Sequence, residues 1–379
     1  MSAYINLYDF AKDPEVRGYG KAIMDFLFTS AAVKYRRGSW GGPLVRDYGN
    51  RYPWSTSAHT AWYYYGEAKA PHHEELELAL FFSSSYQPPA AVVALAKKQV
   101  PAGTELLASH PNYENFLPGN AERPIYHETT YFGATYQLGT MIEGHGYNRN
   151  GFKLLVDNPE GLTSYIIPTT GKPKNPATST AGGDVVLQHG NSALYYNKKG
   201  GVPFHIMLPA SAQIESGPQE SRIITVDNTW IAALPIKLSW GKESPLKERK
   251  SQVAIAQKSL AAEGDGIFFI IGDKASYGDY QSFVKAVGKA VITVDAKGVT
   301  VATAKGQSLA INAEGDLLRD GAVIDLAERM DLWQPAPGSE AVLQLGWKQR
   351  LLKVTVDGYT FTGQLHDDGR YEFHSTLAE

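Results

Sequence analysis

The sequence predicts an α+β protein in which a short N-terminal α-helical hairpin region precedes a large antiparallel β-sandwich. Three observations lead there. Apolar residues recur at helical spacing mainly within the first hundred residues. After Pro101 the chain becomes a series of short β-branched and aromatic runs divided by Gly, Pro and Asn. No long helical stretch separates those runs, which favours antiparallel sheets packed face to face. A chain of 379 residues holds two or three domains. The expected division is a helical region over 1–100, a β-sandwich over 101–288 and a C-terminal β-sheet subdomain over 289–379.

In chain order, Asp13-Pro14-Glu15 reads as a helix start, with a capping carboxylate, a proline at the first position and an acid at the positive end. Val16, Tyr19, Ile23, Phe26, Leu27 and Ala31 then keep helical spacing up to about Tyr35. Further helices are expected over 56–66, 74–82 and 90–98. Strands are expected at 125–131, 134–142, 153–157, 164–167, 184–187, 193–196, 204–208, 222–226, 230–238 and 267–271. Residues 272–288 read as a short helix and 241–262 as an exposed, charged connection. Strands at 290–295, 299–304, 342–345, 351–356, 359–365 and 371–374 close the chain, with Asp357-Gly358 and Asp367-Asp368-Gly369 as turns.

One stretch stands apart. Residues 36–66 carry Trp40, Trp54 and Trp62, five tyrosines, four arginines and His59, yet glycines and prolines bar regular structure through most of it. Loops normally carry solvated side chains, so an aromatic and basic one suggests a gripping surface for something flat, polar and anionic. Composition narrows the partner. A formal net charge of −3 argues against a general nucleic-acid binder, and no run is long and apolar enough to cross a membrane. Zero cysteines removes disulfides, thiolate metal sites and cysteine nucleophiles together. Residues 1–10 lack a basic start and an apolar core, so no export signal is read.

Helix 14–35, the segment GSWGGPLVRDYGNRY after it and the run YHETTYFGATYQLGTMIEGHGYNRNGFKLLV resemble the C-terminal part of polysaccharide lyases built from an (α/α) toroid and a β-supersandwich. Heparinase II/III-like and chondroitin, hyaluronate and alginate lyase-like proteins are of this kind. The resemblance implies that the helical region is a partial toroid. It further implies β-elimination on an acidic, uronic-acid polysaccharide, in a secreted or periplasmic setting. In such proteins a Gly-x-x-Gly-Arg-x-Tyr type of loop leaves the last toroid helices beside the cleft, and Gly42, Arg46, Asp47 and Tyr48 take the matching places here. Most toroid helices have no counterpart, and the family draws a catalytic Asn, His or Tyr from them. Either the sequence is a piece of a longer protein, or a partner chain or homo-oligomer completes the cleft, or activity has been lost.

The chemistry can be argued independently of any family. Elimination from a uronic acid requires a neutralised sugar carboxylate, removal of the adjacent proton and protonation of the departing oxygen. Arginine pairs a carboxylate through two parallel hydrogen bonds and stays charged; tyrosine or histidine suits the proton transfers. Arg46, Tyr48 and His59 are therefore the catalytic candidates. Arg51, Trp40, Trp54 and His127 are the substrate-binding candidates, the tryptophans by stacking on sugar faces. The same arginines could instead form structural ion pairs, with the aromatics packing a helix–sandwich junction. His72-His73-Glu74-Glu75 lacks metal-ligand spacing and reads as a helix start, and neither metal nor cofactor is expected. No phosphate loop, dinucleotide fingerprint or serine-hydrolase elbow occurs. The rival classes are a non-catalytic carbohydrate-binding module and an assembly protein that retains the sandwich.

Overall fold

The computed structural model describes residues 2–42, 56–66, 81–110, 126–142, 151–171, 179–246, 257–328, 330–346 and 348–377. It is an α+β protein dominated by antiparallel sheet. The chain starts with α1 (Ser2–Phe10), which the sequence reading missed, and α2 (Pro14–Lys34). Asp13 caps α2 by accepting from the Glu15 N–H at 2.8 Å. At its far end α2 runs into a hairpin, β1 (Tyr35–Arg36) and β2 (Ser39–Trp40). Arg37 and Gly38 make the turn with φ of 45° and 78°. That is the mirror-image turn whose twist matches antiparallel strands. Helices α3 (Thr56–Tyr65) and α4 (Ala90–Ala96) complete the helical layer. Of the expected helix 74–82, residues 74–80 lie outside the described residues.

The strands follow as β3 (Thr104–His110), β4 (Tyr126–Phe132), β5 (Tyr136–Ile142), β6 (Phe152–Asp157), β7 (Thr163–Thr170), β8 (Asp184–His189), β9 (Ser192–Asn197), β10 (Val202–Leu208), β11 (Gln213–Ser216), β12 (Arg222–Val226), β13 (Thr229–Pro245) and β14 (Lys258–Asp273). They form one hydrogen-bonded network folded into two layers. The first layer runs β3-β4-β5-β6-β7-β10 and the second β8-β9 and β13-β12-β11. Strand β14 belongs to both: its Lys258–Gly264 half pairs β10, and its Gly266–Ile270 half pairs β9. Between the layers lies an apolar core in which Tyr136, Leu154 and Ile206 meet Val186, Ile231 and Phe269. Phe152 and Phe269 meet across it with centroids 5.0 Å apart.

Two expectations need correction. Residues 241–262 are not a free connection, because Gly241–Pro245 finish β13 and Lys258–Ala262 begin β14. Among the described residues this end of β13 pairs β14 alone, and Gly241–Pro245 are exposed and mostly polar, which is why they read as a connection. Residues 272–288 hold two short helices, α5 (Lys274–Tyr277) and α6 (Tyr280–Val287), rather than one. Asp273 and Asp279 each cap a new start, by accepting from the N–H of Ser276 and of Ser282.

After α6, a five-stranded sheet comprises β15 (Val291–Asp295), β16 (Gly298–Ala302), β17 (Ser308–Asn312), β18 (Leu317–Arg319) and β19 (Ala322–Val323). It packs with α6 on the outside of the second layer, where Val299, Val301 and Leu309 meet Leu187, Leu194 and Phe268. Strand β20 (Gln334–Pro335) joins the edge of β3. The last sheet, β21 (Leu343–Gly346), β22 (Leu351–Val356), β23 (Tyr359–Leu365) and β24 (Tyr371–Leu377), returns to the helices. There Leu343, Val354 and Phe361 join Phe28, Val92 and Leu95 in one core. Residues 289–379 thus hold two small sheets attached to different cores. Buried Asp25 on α2 ties the second in place: Tyr86 and Tyr371 each donate to it at 2.9 Å, and Lys21 lies at 2.7 Å. Burial pushes the Asp25 carboxyl above its ordinary pKa, against the pull of Lys21.

Candidate functional site

Strand alternation gives the first layer two unlike faces. Leu138, Phe152, Leu154 and Val156 point into the sandwich core. Their neighbours Glu128, Thr130, Gln137, Lys153, Asp157 and Tyr165 point the other way, toward the helical layer and the hairpin. Register fixes this: Lys153 pairs Gly139, Gly139 pairs Thr130, and Asp157 lies four residues beyond Lys153 on the same strand. The outer face is mixed and covered: Leu155, Tyr165, Ile167 and Met207 form an apolar cluster on it, and polar groups are buried beside them. Glu128 is 2% exposed, and Thr130, Gln137 and Lys153 are each 0% exposed. Desolvating such groups is costly without partners, so a polar face this deep needs an explanation.

The cover is the beginning of the aromatic and basic stretch. Arg36 anchors it through two parallel hydrogen bonds, Nε to Asp157 Oδ1 at 2.6 Å and Nη2 to Oδ2 at 2.7 Å. The same guanidinium donates to the carbonyls of Ala134 and Tyr136, both at 3.1 Å. Arg37 stands 3.4 Å from the same carboxylate. Lys34, at the end of α2, pairs Glu128 at 2.7 Å, and Gln137 Nε2 donates to the Val33 carbonyl at 2.9 Å. Beyond the hairpin, Gly41 and Gly42 lie directly on the sheet. A side chain at Gly139 would overlap the Gly41 carbonyl oxygen, and one at Gly42 would strike Lys34 and Glu128. Glycine at 139 is what lets the backbone approach this closely. Among the described residues this region gathers Lys34, Arg36, Arg37 and Lys153 against Glu128 and Asp157.

The expected site residues fall around this face unevenly. Arg46, Tyr48, Arg51 and Trp54 lie outside the described residues. His59 belongs to α3, and nothing further is described of its side chain. Trp40 is half-buried at the end of the hairpin. His127 is buried on β4, paired with Ser109 and Ile142. It therefore points away from Glu128, as neighbours in a strand must, and does not share the face beneath the hairpin. Trp40 and His127 are not brought together.

Sequence reasoning missed Lys34, Arg36, Glu128, Lys153 and Asp157 as a set. A signal was present: in Phe152-Lys153-Leu154-Leu155-Val156-Asp157 the two charges stand four apart and so share one face of a strand otherwise apolar. His205 is a further polar residue of this layer. It sits on β10 beside Ser259, Nδ1 to Oγ 3.5 Å, on the same outer face further along the sheet. Burial pushes its imidazole below the ordinary value, because desolvation disfavours the protonated form.

Among the described residues no group of three or more His, Asp or Glu is placed to hold a metal ion, and no helix is long and apolar enough to cross a membrane. Comparison with models of known protein families gives no match, and comparison with curated proteins gives none.

Proposed function

We propose that the chain is a polysaccharide lyase-like protein that binds an acidic, uronic-acid polysaccharide between its helical layer and its sandwich, and acts on it by β-elimination. One observation carries this reading: a buried, cation-rich polar sheet face lies beneath the start of the aromatic and arginine-rich stretch. Its ion pairs hold down the start of the stretch that carries Arg46 and Arg51, and a polymer bearing sugar carboxylates complements those arginines. The partial toroid and supersandwich of the lyases would place a cleft at the same junction. In this reading Arg46 neutralises the sugar carboxylate, and Tyr48, aided by His59, moves the protons. Arg51, Trp40 and Trp54 hold the chain of sugars, and His127, buried on the opposite face of β4, takes no part. Arg36 is excluded from direct catalysis, because Asp157 and two carbonyls occupy its guanidinium.

The test follows ultraviolet absorbance from the unsaturated sugar that a lyase leaves, over alginate, glucuronan, hyaluronan, chondroitin and heparin. The expected result is a rise with one polymer class, abolished in Tyr48→Phe while binding is retained. A flat trace with retained polymer binding, weakened by Trp54→Ala, would replace the enzyme by a carbohydrate-binding module.

A second reading has its own observation. Tyr4, Leu7 and Phe10 on α1, and Phe82 beside Tyr63, leave apolar surface on the outside of the helical layer. Exposed apolar side chains gathered on one surface mark a place of contact, so this surface favours an assembly role, or a partner that completes the cleft. Sedimentation at low concentration separates a monomer from a stable oligomer.

A further inference from the structure

Between α2 and the last sheet lies a cavity of about 240 Å³, partly open to solvent. It is remote from the polar face in character. Ala22, Ile23 and Phe26 form the helix wall, and Leu345, Leu352 and Leu365 the sheet wall. Register explains the space. Leu345, Leu352 and Gly363 stand in one row across β21, β22 and β23. At the third position there is no side chain, and the Tyr371 hydroxyl passes through the place one would fill, on its way to Asp25. An apolar cavity of roughly 150 Å³ already holds a benzene ring, so this one accommodates a larger apolar group.

Arg350 is the one charged side chain among the described lining residues. Its carboxylate partner, Asp367 at 3.1 Å, is 99% exposed, and Arg350 itself is about half exposed. A solvent-exposed pair of this kind contributes little and is readily exchanged. An apolar pocket with a few polar groups placed at its edge is the usual architecture of a small-molecule site.

We propose that this cavity binds a small monocarboxylate with an apolar tail, the tail lying between α2 and the sheet and the carboxylate replacing Asp367 on Arg350. The site is independent of the polysaccharide reading and stands or falls without it. The specific chemistry is a fatty or aryl-alkyl acid of modest length, short enough for the cavity and carrying one negative charge.

The experiment titrates the full chain with octanoate and, separately, with octanol, below micellar concentrations, following methyl resonances by NMR. Octanoate should bind saturably, with contacts from its chain to the methyls of Leu352 and Leu365. Arg350→Gln should weaken octanoate about fivefold and leave octanol unchanged. Ala22→Phe, which fills the cavity from the helix side, should abolish both. The methyl contacts are read on the unaltered protein, so they decide the matter even where Ala22→Phe does not fold. Equal binding of octanoate and octanol, indifferent to Arg350→Gln, would overturn the carboxylate assignment. Absence of saturable shifts at those methyls would overturn the site.

Discussion

Phe152 and Lys153 are neighbours on one strand, almost equally inaccessible to water, and they stand for the two faces of the first layer. Phe152 meets Phe269 in the sandwich core; Lys153 sits under the glycine-docked stretch among Gln137, Thr130 and Glu128. Burial alone therefore says nothing about purpose here. On the inner face, burial removes apolar area from water and contributes stability. On the outer face it desolvates charge, which costs stability unless every group is paired. Here Lys34 is paired with Glu128 and Arg36 with Asp157, which offsets that cost.

Substitutions on the two faces should have separable effects. Phe152→Ala should cost about 3–5 kcal/mol by opening a core cavity. If the proposed function holds, polysaccharide binding should be unchanged at temperatures where the variant is still folded, as measured by denaturant midpoint beside polymer retention. Gly139→Ala should cost less, about 1–3 kcal/mol by forcing the Gly41 backbone off the sheet, yet lose polymer binding or turnover altogether. Were the two variants to lose function in proportion to their stability, the division of labour between the faces would be wrong. Gly38→Ala, strained at positive φ in the hairpin turn, should cost about 1 kcal/mol and weaken binding only partly, because Arg36 still anchors the hairpin.

The smallest effect expected is one of pH. The folded-state pKa of His205 lies below its unfolded value of 6.5. The unfolded chain therefore takes up the proton first as pH falls, and this contribution to stability is present above 6.5 and lost below it. A stability profile between pH 7.5 and 5.5 should slope downward toward acid, slightly less so in His205→Gln. Identical slopes would remove His205 from the account.

Much of the fold was legible because period-2 alternation and turn residues mark antiparallel strands well. Helix α2, β12, β22 and β23 match their expected ranges closely. Strand β3, Thr104–His110, was missed because its run TELLASH mixes polar and apolar residues without β-branched side chains after the first. Its place was fixed by pairing with β4 and β20. The site was less legible for a different reason. The aromatic and basic stretch announced itself by composition, but Lys34, Glu128, Lys153 and Asp157 come from three elements more than a hundred positions apart in total span. Only the docking of Gly41 onto β5 brings them under one roof. His127 and Glu128 are adjacent in sequence and face opposite ways, so proximity along the chain was a poor guide to shared chemistry.

The bond from Tyr371 to Asp25 spans 346 positions, and the one from Trp333 to Ser30 spans 303. Synthesis at roughly 5–20 residues per second puts tens of seconds between the emergence of α2 and that of the strands completing its core. During that interval Phe28, Val92 and Leu95 lack Leu343, Val354 and Phe361 as neighbours, so the core around α2 cannot close until those strands are made.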